Sequence, residues 1–155
     1  MDSKQLLTHF IEPACSLIGL ASDEASILLL ATAAVESDNG KYVKQIGGPA
    51  LGWYQMEPAT HQDLYDNFLK YKPTLENKLK FLALPGFDRS HQLTVNPLYA
   101  AGAARLQYYR VPKPLPEIGV ESMWPYYKDH WNSHKGATTY SKWNDAWERF
   151  VAPVL

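Results

Sequence analysis

Residues 22–40 read Ser22-Asp23-Glu24-Ala25-Ser26-Ile27-Leu28-Leu29-Leu30-Ala31-Thr32-Ala33-Ala34-Val35-Glu36-Ser37-Asp38-Asn39-Gly40. Ser22 has the side chain of a helix cap. Asp23 and Glu24 place anions in a first turn, where the helix dipole favours them. Residues 25–35 are apolar on every face. A helix that is hydrophobic all round is enclosed by other elements, so this stretch predicts a buried central helix with the rest of the chain packed around it. It is far too short to cross a bilayer, which takes about 20 apolar residues. Asn39-Gly40 is a turn signal that closes the run.

Outward from that helix the pattern stays helical. Leu6, Leu7, Phe10, Ile11, Ala14, Leu17 and Ile18 recur at three- and four-residue spacing, with Pro13 as a bend and Gly19 as a stop. Pro58 and Pro73 suit first helical turns and predict helices over 58–70 and 73–83. Asn96-Pro97 caps and opens a helix to Tyr109. Further helices are expected over 119–133 and 139–150, the last with Trp143, Trp147 and Phe150 packing on one face. Residues 84–94 read as irregular. Gly40, Gly47, Gly48, Pro49 and Gly52 mark residues 40–56 as a loop, with a short β-ribbon around 42–46. No repeat or linker interrupts the chain, which reads as one mainly α domain over 1–155.

Composition limits the function classes. The 155 residues are 46% hydrophobic and 20% charged, enough to enclose a core and unlike a disordered chain. Formal charge is −1, so the basic bias of a general nucleic-acid binder is missing. Residues 1–39 carry a net −5 and residues 40–155 a net +4, a weak asymmetry. Cys15 is the only cysteine, which excludes an internal disulfide and cysteine-based metal clusters and fits a small buried hydrophobe. No secretion signal is visible at the start. The expectation is a monomer made in the cytosol, with no stable membrane insertion and no cofactor.

Glu36 is the candidate reactive group. It ends an apolar helix, so it lies at the edge of the core. Desolvation and the negative helix terminus both disfavour its ionised form. A carboxylic acid that keeps its proton near neutrality can protonate a leaving group, as glycosidic cleavage requires. Structural carboxylates nevertheless outnumber catalytic ones.

The residues after Glu36 narrow the reading. Glu36-Ser37 is followed, sixteen residues after Glu36, by Gly52-Trp53-Tyr54-Gln55-Met56-Glu57-Pro58-Ala59-Thr60. This resembles the lysozyme-like superfamily of soluble lytic transglycosylases and goose-type lysozymes. There, a Glu-Ser ending a buried helix precedes a spaced Gly-x-x-Gln and Pro-x-Thr. The similarity covers residues 22–70 and extends more loosely to 110. It implies a lysozyme-like helical domain and a groove beside Glu36 for a peptidoglycan glycan strand. Glu36 matches the family's acid/base, Ser37 a residue that orients it, and Gln55 the groove glutamine. Gly52 allows close backbone approach, and Tyr54 and Met56 flank Gln55 within reach of sugar. Trp53-Tyr54 stands where the family has Leu-Met. The nearest counterpart of its late Ala-Tyr-Asn-Ala-Gly motif is the stretch 126–132, which puts either Tyr127 or Asn132 opposite Glu36. Such a pattern is in the style of lysozyme-like proteins of tailed bacteriophages, which act on the wall from the host periplasm or are carried in a virion.

Two activities fit. A hydrolase that inverts needs a second carboxylate about 6.5–9.5 Å from the first, and the candidates are Asp38 and Glu57. Asp38 would point about 200° away from Glu36 on a continuing helix, and Glu57 suits a first-turn charge. Without a second acid, the sugar's own 6-hydroxyl closes a 1,6-anhydro ring, and the balance leans this way. The competing function is a glycan-binding or virion structural module without turnover. Trp124, Tyr126, Tyr127 and Trp131 are either sugar platforms or core, and core is the commoner use. His130 and His134 share a helical spacing used by zinc ligands, with His61 or His91 as a third, but Trp131 stands where a metalloprotease carries Glu, and no metal is expected.

Overall fold

The computed structural model describes residues 1–132 and 136–155. Helix α1 (residues 3–17) opens with Asp2 accepting from the Gln5 N–H. Its middle, Leu7–Ile11, widens into a π turn immediately before Pro13. Proline has no N–H and its ring crowds the carbonyl four residues back, and the looser turn accommodates both. Gly19, at φ +77°, ends the helix. Its N–H bonds the Ser16 carbonyl and the Leu20 N–H bonds that of Cys15, the paired bonds of a left-handed C-terminal cap.

Helix α2 (Asp23–Ser37) is the predicted central helix, and Ser22 caps it by accepting from Ala25 N–H. Every residue from Ala25 to Val35 is buried. Around it pack α1, α6 (Pro97–Tyr109), α7 (Val120–His130) and the C-terminal helix α8 (residues 140–151), whose last turns, Trp147–Val151, are again π. Small residues on α6, from Ala100 to Ala104, are buried and let the helices approach closely. The outer helices are α3 (Pro58–Asn67), α4 (Pro73–Phe81) and α5 (Arg89–Val95), with a 3-10 turn at Leu69–Tyr71.

Two expectations change. Residues expected to be irregular contain α5. Asp88 caps it by accepting from His91 N–H, and buried Gln92 is tied to both backbone groups of Leu84 and to the Phe87 carbonyl. These bonds supply what its weak apolar periodicity lacked. The β-ribbon does not form as strands among the described residues. Isolated antiparallel bridges pair Lys44 with Leu51 and Leu51 with Met56, because the turns at Gly47 and Gly52, both at positive φ, leave no length for a ladder. No helix among the described residues is long and apolar enough to cross a membrane.

Candidate active site

The end of α2 is built to stop abruptly. Asp38, Asn39 and Gly40 all take left-handed backbone conformations, at φ 49°, 53° and 83°. Asparagine and aspartate tolerate that region better than other side chains. Ser37 anchors the turn to its surroundings. Its hydroxyl donates to the Trp53 carbonyl at 2.6 Å, lies 3.0 Å from the Ala33 carbonyl, and accepts from Gly40 N–H at 2.8 Å. A Cβ on Gly40 would sit 2.1 Å from the Trp53 indole nitrogen, so that ring is seated against bare backbone. Gly52 is held at φ +78°, and a Cβ there would lie 1.9 Å from the Leu93 carbonyl oxygen. Its close approach is therefore to α5. Together these contacts fix the 52–56 loop against the end of α2.

Glu36 emerges between them into a cleft of about 770 Å³. Its walls include Gln55, Met56, Glu57, Thr60, Gln107, His130, Trp131, Asn132 and Lys142. The carboxylate accepts from the Tyr127 hydroxyl at 2.6 Å, and Thr138 Oγ1 lies 3.2 Å from the same hydroxyl. Tyr127 is fully buried, and its ring stacks on Trp143 at 4.8 Å between centres. The Trp143 indole N–H is itself fixed on the Val120 carbonyl. Burial raises the Glu36 pKa above the ordinary carboxylate range, opposed by the Tyr127 hydrogen bond and by the charges of Lys142 and Lys128. The geometry serves both protonation states. Ionised Glu36 accepts from Tyr127; when Glu36 is protonated, its own hydroxyl can donate to Tyr127, and Tyr127 can donate to Thr138.

Of the residues expected to line the groove, Gln55, Met56 and Asn132 do so. Gln55 has φ 47°, an uncommon conformation for a residue with a side chain, and its amide donates to the Gly52 carbonyl at 2.9 Å. Asn132 Oδ1 accepts from Lys128 Nζ at 2.8 Å and from Thr138 N–H at 3.3 Å. Lys128 also donates to the Gly136 and Thr138 carbonyls. Ser37, Gly52, Tyr54 and Tyr127 lie behind the lining. Tyr54 is buried with its carbonyl accepting from the Trp131 indole N–H at 3.3 Å. Between Tyr127 and Asn132, it is Tyr127 that touches Glu36.

The two candidate second acids separate. Asp38 pairs with Arg149 at 3.9 Å and does not line the cleft. Glu57 precedes α3, makes no side-chain cap and lines the cleft. Among the late aromatics, Tyr126 and Tyr127 are core, Trp124 stacks at its edge, and Trp131 faces the cleft. His61 is buried against the Tyr99 hydroxyl at 2.9 Å, His130 packs on Tyr126, and His134 lies outside the described residues. Among the described residues no group of three His, Cys, Asp or Glu is placed to hold a metal.

Sequence reasoning missed Gln107, Thr138 and Lys142. Gln107 had a legible signal, a lone amide between buried Leu106 and Tyr108, and its Oε1 is enclosed with no partner among the described residues. Thr138 and Lys142 had none, since the tertiary fold alone brings them to Glu36. No family model matches the chain, and no curated protein or solved structure matches it either.

Proposed function

We propose that this protein is a peptidoglycan-degrading glycosidase that cleaves the β-1,4 bond between N-acetylmuramic acid and N-acetylglucosamine, with Glu36 as general acid and then base. The observation that carries the reading is the Glu36 environment: a carboxyl at the end of a buried helix, hydrogen-bonded by Tyr127 and opening on a cleft. Burial favours its protonated form, the state needed to protonate a glycosidic oxygen. As the bond breaks, the Tyr127 hydroxyl stabilises the carboxylate that remains. In a lytic transglycosylase that carboxylate then takes the proton of the attacking 6-hydroxyl; in an inverting muramidase a second carboxylate takes the proton of the water. Trp131 offers an apolar face to a sugar ring, and the side-chain amides of Gln55, Gln107 and Asn132 line the cleft to donate N–H groups to hydroxyl and acetamido oxygens.

The nucleophile is water in a muramidase and the substrate's own 6-hydroxyl in a lytic transglycosylase. Glu57 on the cleft favours the muramidase as a second reading, because it is a carboxylate free of a cap and available to activate water. The test is the loss of turbidity of permeabilised Gram-negative cells with wild type and Glu36→Gln, which should be inactive. Equal clearing by both, or none by either, removes the enzyme reading in favour of a binding module. Mass spectrometry of the products then separates reducing ends from 1,6-anhydro ends. Action on the host wall from the periplasm or from a virion belongs to the same proposal.

A further inference from the structure

Behind the aromatic wall of the cleft lies a second hollow of about 220 Å³. Tyr108 and Tyr126 line it, and they are also the partition. Tyr108 packs on Trp131 at 5.1 Å between ring centres, and Tyr126 packs on His130 at 4.7 Å, both partners being cleft residues. Val111, Pro114 and Leu115, from the segment after α6, give the hollow apolar sides. Hydrogen bonding of the Tyr126 hydroxyl to the Lys113 carbonyl, at 3.4 Å, ties that segment to α7.

Arg105 brings a cation to this hollow, its guanidinium lying 5.7 Å from the centre of the Tyr109 ring. It is only 8% exposed. Its Nε donates to the Leu20 carbonyl at 3.0 Å, and among the described residues its terminal amino groups have no acceptor and no carboxylate lies within ion-pair distance. Cys15 is close but is no counter-ion, because burial pushes its thiol up to about 11. A guanidinium stays charged in protein surroundings; these amino groups keep some contact with solvent and are open to an anion entering the hollow. No acidic residue lines the hollow, and Lys113 adds a second cation there.

We infer that the hollow is a binding site for a carboxylate carried on a small apolar body. The planar guanidinium suits a carboxylate bidentately, while Tyr109, Val111 and Leu115 cover the body. This site is independent of the glycosidase reading, since it uses neither Glu36 nor the cleft. Two sources share this chemistry, the carboxyl end of a short peptide and a short-chain aliphatic acid.

Isotope-labelled full-length protein, titrated with N-acetyl-D-alanyl-D-alanine and with hexanoate, tests it by NMR at the Arg105 Nε–H and the Leu115 amide. At least one acid should give saturable shifts at both positions, with its carboxamide binding about tenfold or more weakly. The tighter of the two acids identifies the source. Leu115→Trp fills the hollow while leaving Arg105 in place, and should abolish the shifts; Arg105→Gln should do the same where it folds. Saturable binding of acid and carboxamide alike, binding retained in Leu115→Trp, or no saturable shift with either acid overturns the inference.

Discussion

Tyr127→Phe isolates the interaction on which the Glu36 chemistry depends. It removes one oxygen from a fully buried ring and leaves the Trp143 stack intact. The variant loses a 2.6 Å hydroxyl–carboxylate bond. Such a bond contributes about 1.5–3 kcal/mol when the acceptor is charged, and about 0.5–1.5 kcal/mol when both groups are neutral. The charged form gains more from it, and that sets the sign. Tyr127 holds the Glu36 pKa down against the burial that raises it, so the variant's Glu36 should titrate at higher pH than wild type. A buried carboxyl with a raised pKa contributes stability that is present below the ordinary carboxylate range and lost as pH rises through the folded value. In Tyr127→Phe that loss runs deeper. Its destabilisation relative to wild type should therefore be about 1 kcal/mol at low pH, with Glu36 protonated, and about 2–3 kcal/mol at a pH above the Glu36 titration read in the folded protein. Carboxyl carbon NMR reads the Glu36 titration directly, and urea unfolding at the two pH values reads the stability. A Glu36 titration that moves down, or a cost that is equal or smaller at the higher pH, would show that Tyr127 does not govern the proton on Glu36.

Glu36→Gln should stabilise the protein at neutral pH, since a neutral amide neither takes up a proton on folding nor buries a charge; thermal melts check this, and the gain should vanish in acid. Gly52→Ala places a Cβ 1.9 Å from the Leu93 carbonyl in a left-handed conformation and should cost about 2–5 kcal/mol in denaturant unfolding. His61, surrounded by Tyr65, Tyr99 and Arg89, has its pKa lowered by burial from 6.5 to about 4. It stays neutral in the fold, so its contribution is complete above 6.5 and about 3 kcal/mol is lost as pH falls through that window. His61→Gln should flatten this part of the stability–pH curve. Glu57→Gln should abolish release of reducing ends if Glu57 activates water, and leave 1,6-anhydro products unchanged if the sugar closes on itself; product mass spectra decide.

The parts of this fold that were legible in the sequence are those set by local chemistry. Ser22 and Asn96 cap the helices they precede, Pro58 and Pro73 open helices, and the apolar run of residues 25–35 is enclosed on all sides. Helix α5 was hidden because its reasons are nonlocal. Gln92 gains its value only by reaching back to Leu84 and Phe87. The candidate site divides the same way. Glu36 and Gln55 were legible from their neighbours in the chain. The choice between Tyr127 and Asn132 was not, because it depends on Lys128 drawing the Asn132 oxygen into the segment after α7 while Trp143 fixes the ring of Tyr127.

A buried helix and a reactive carboxylate impose opposite demands, and the end of α2 meets both within a few residues. Enclosure requires apolar side chains up to Val35, and every backbone carbonyl left over at the helix end still needs a donor. The left-handed Asp38 and Asn39 return N–H groups to the Ala34 and Ala33 carbonyls, so the helix ends at once instead of fraying into the core. Glu36 is thereby confined to the one turn that is anchored by the core on one side and open to the cleft on the other. Ser37 then binds the Trp53 carbonyl, so any shift of α2 carries the Gln55–Met56 wall with it. Acid and wall are therefore positioned as one body. This is why Ser37, although enclosed and unable to touch a ligand in the cleft, controls the spacing between Glu36 and Gln55.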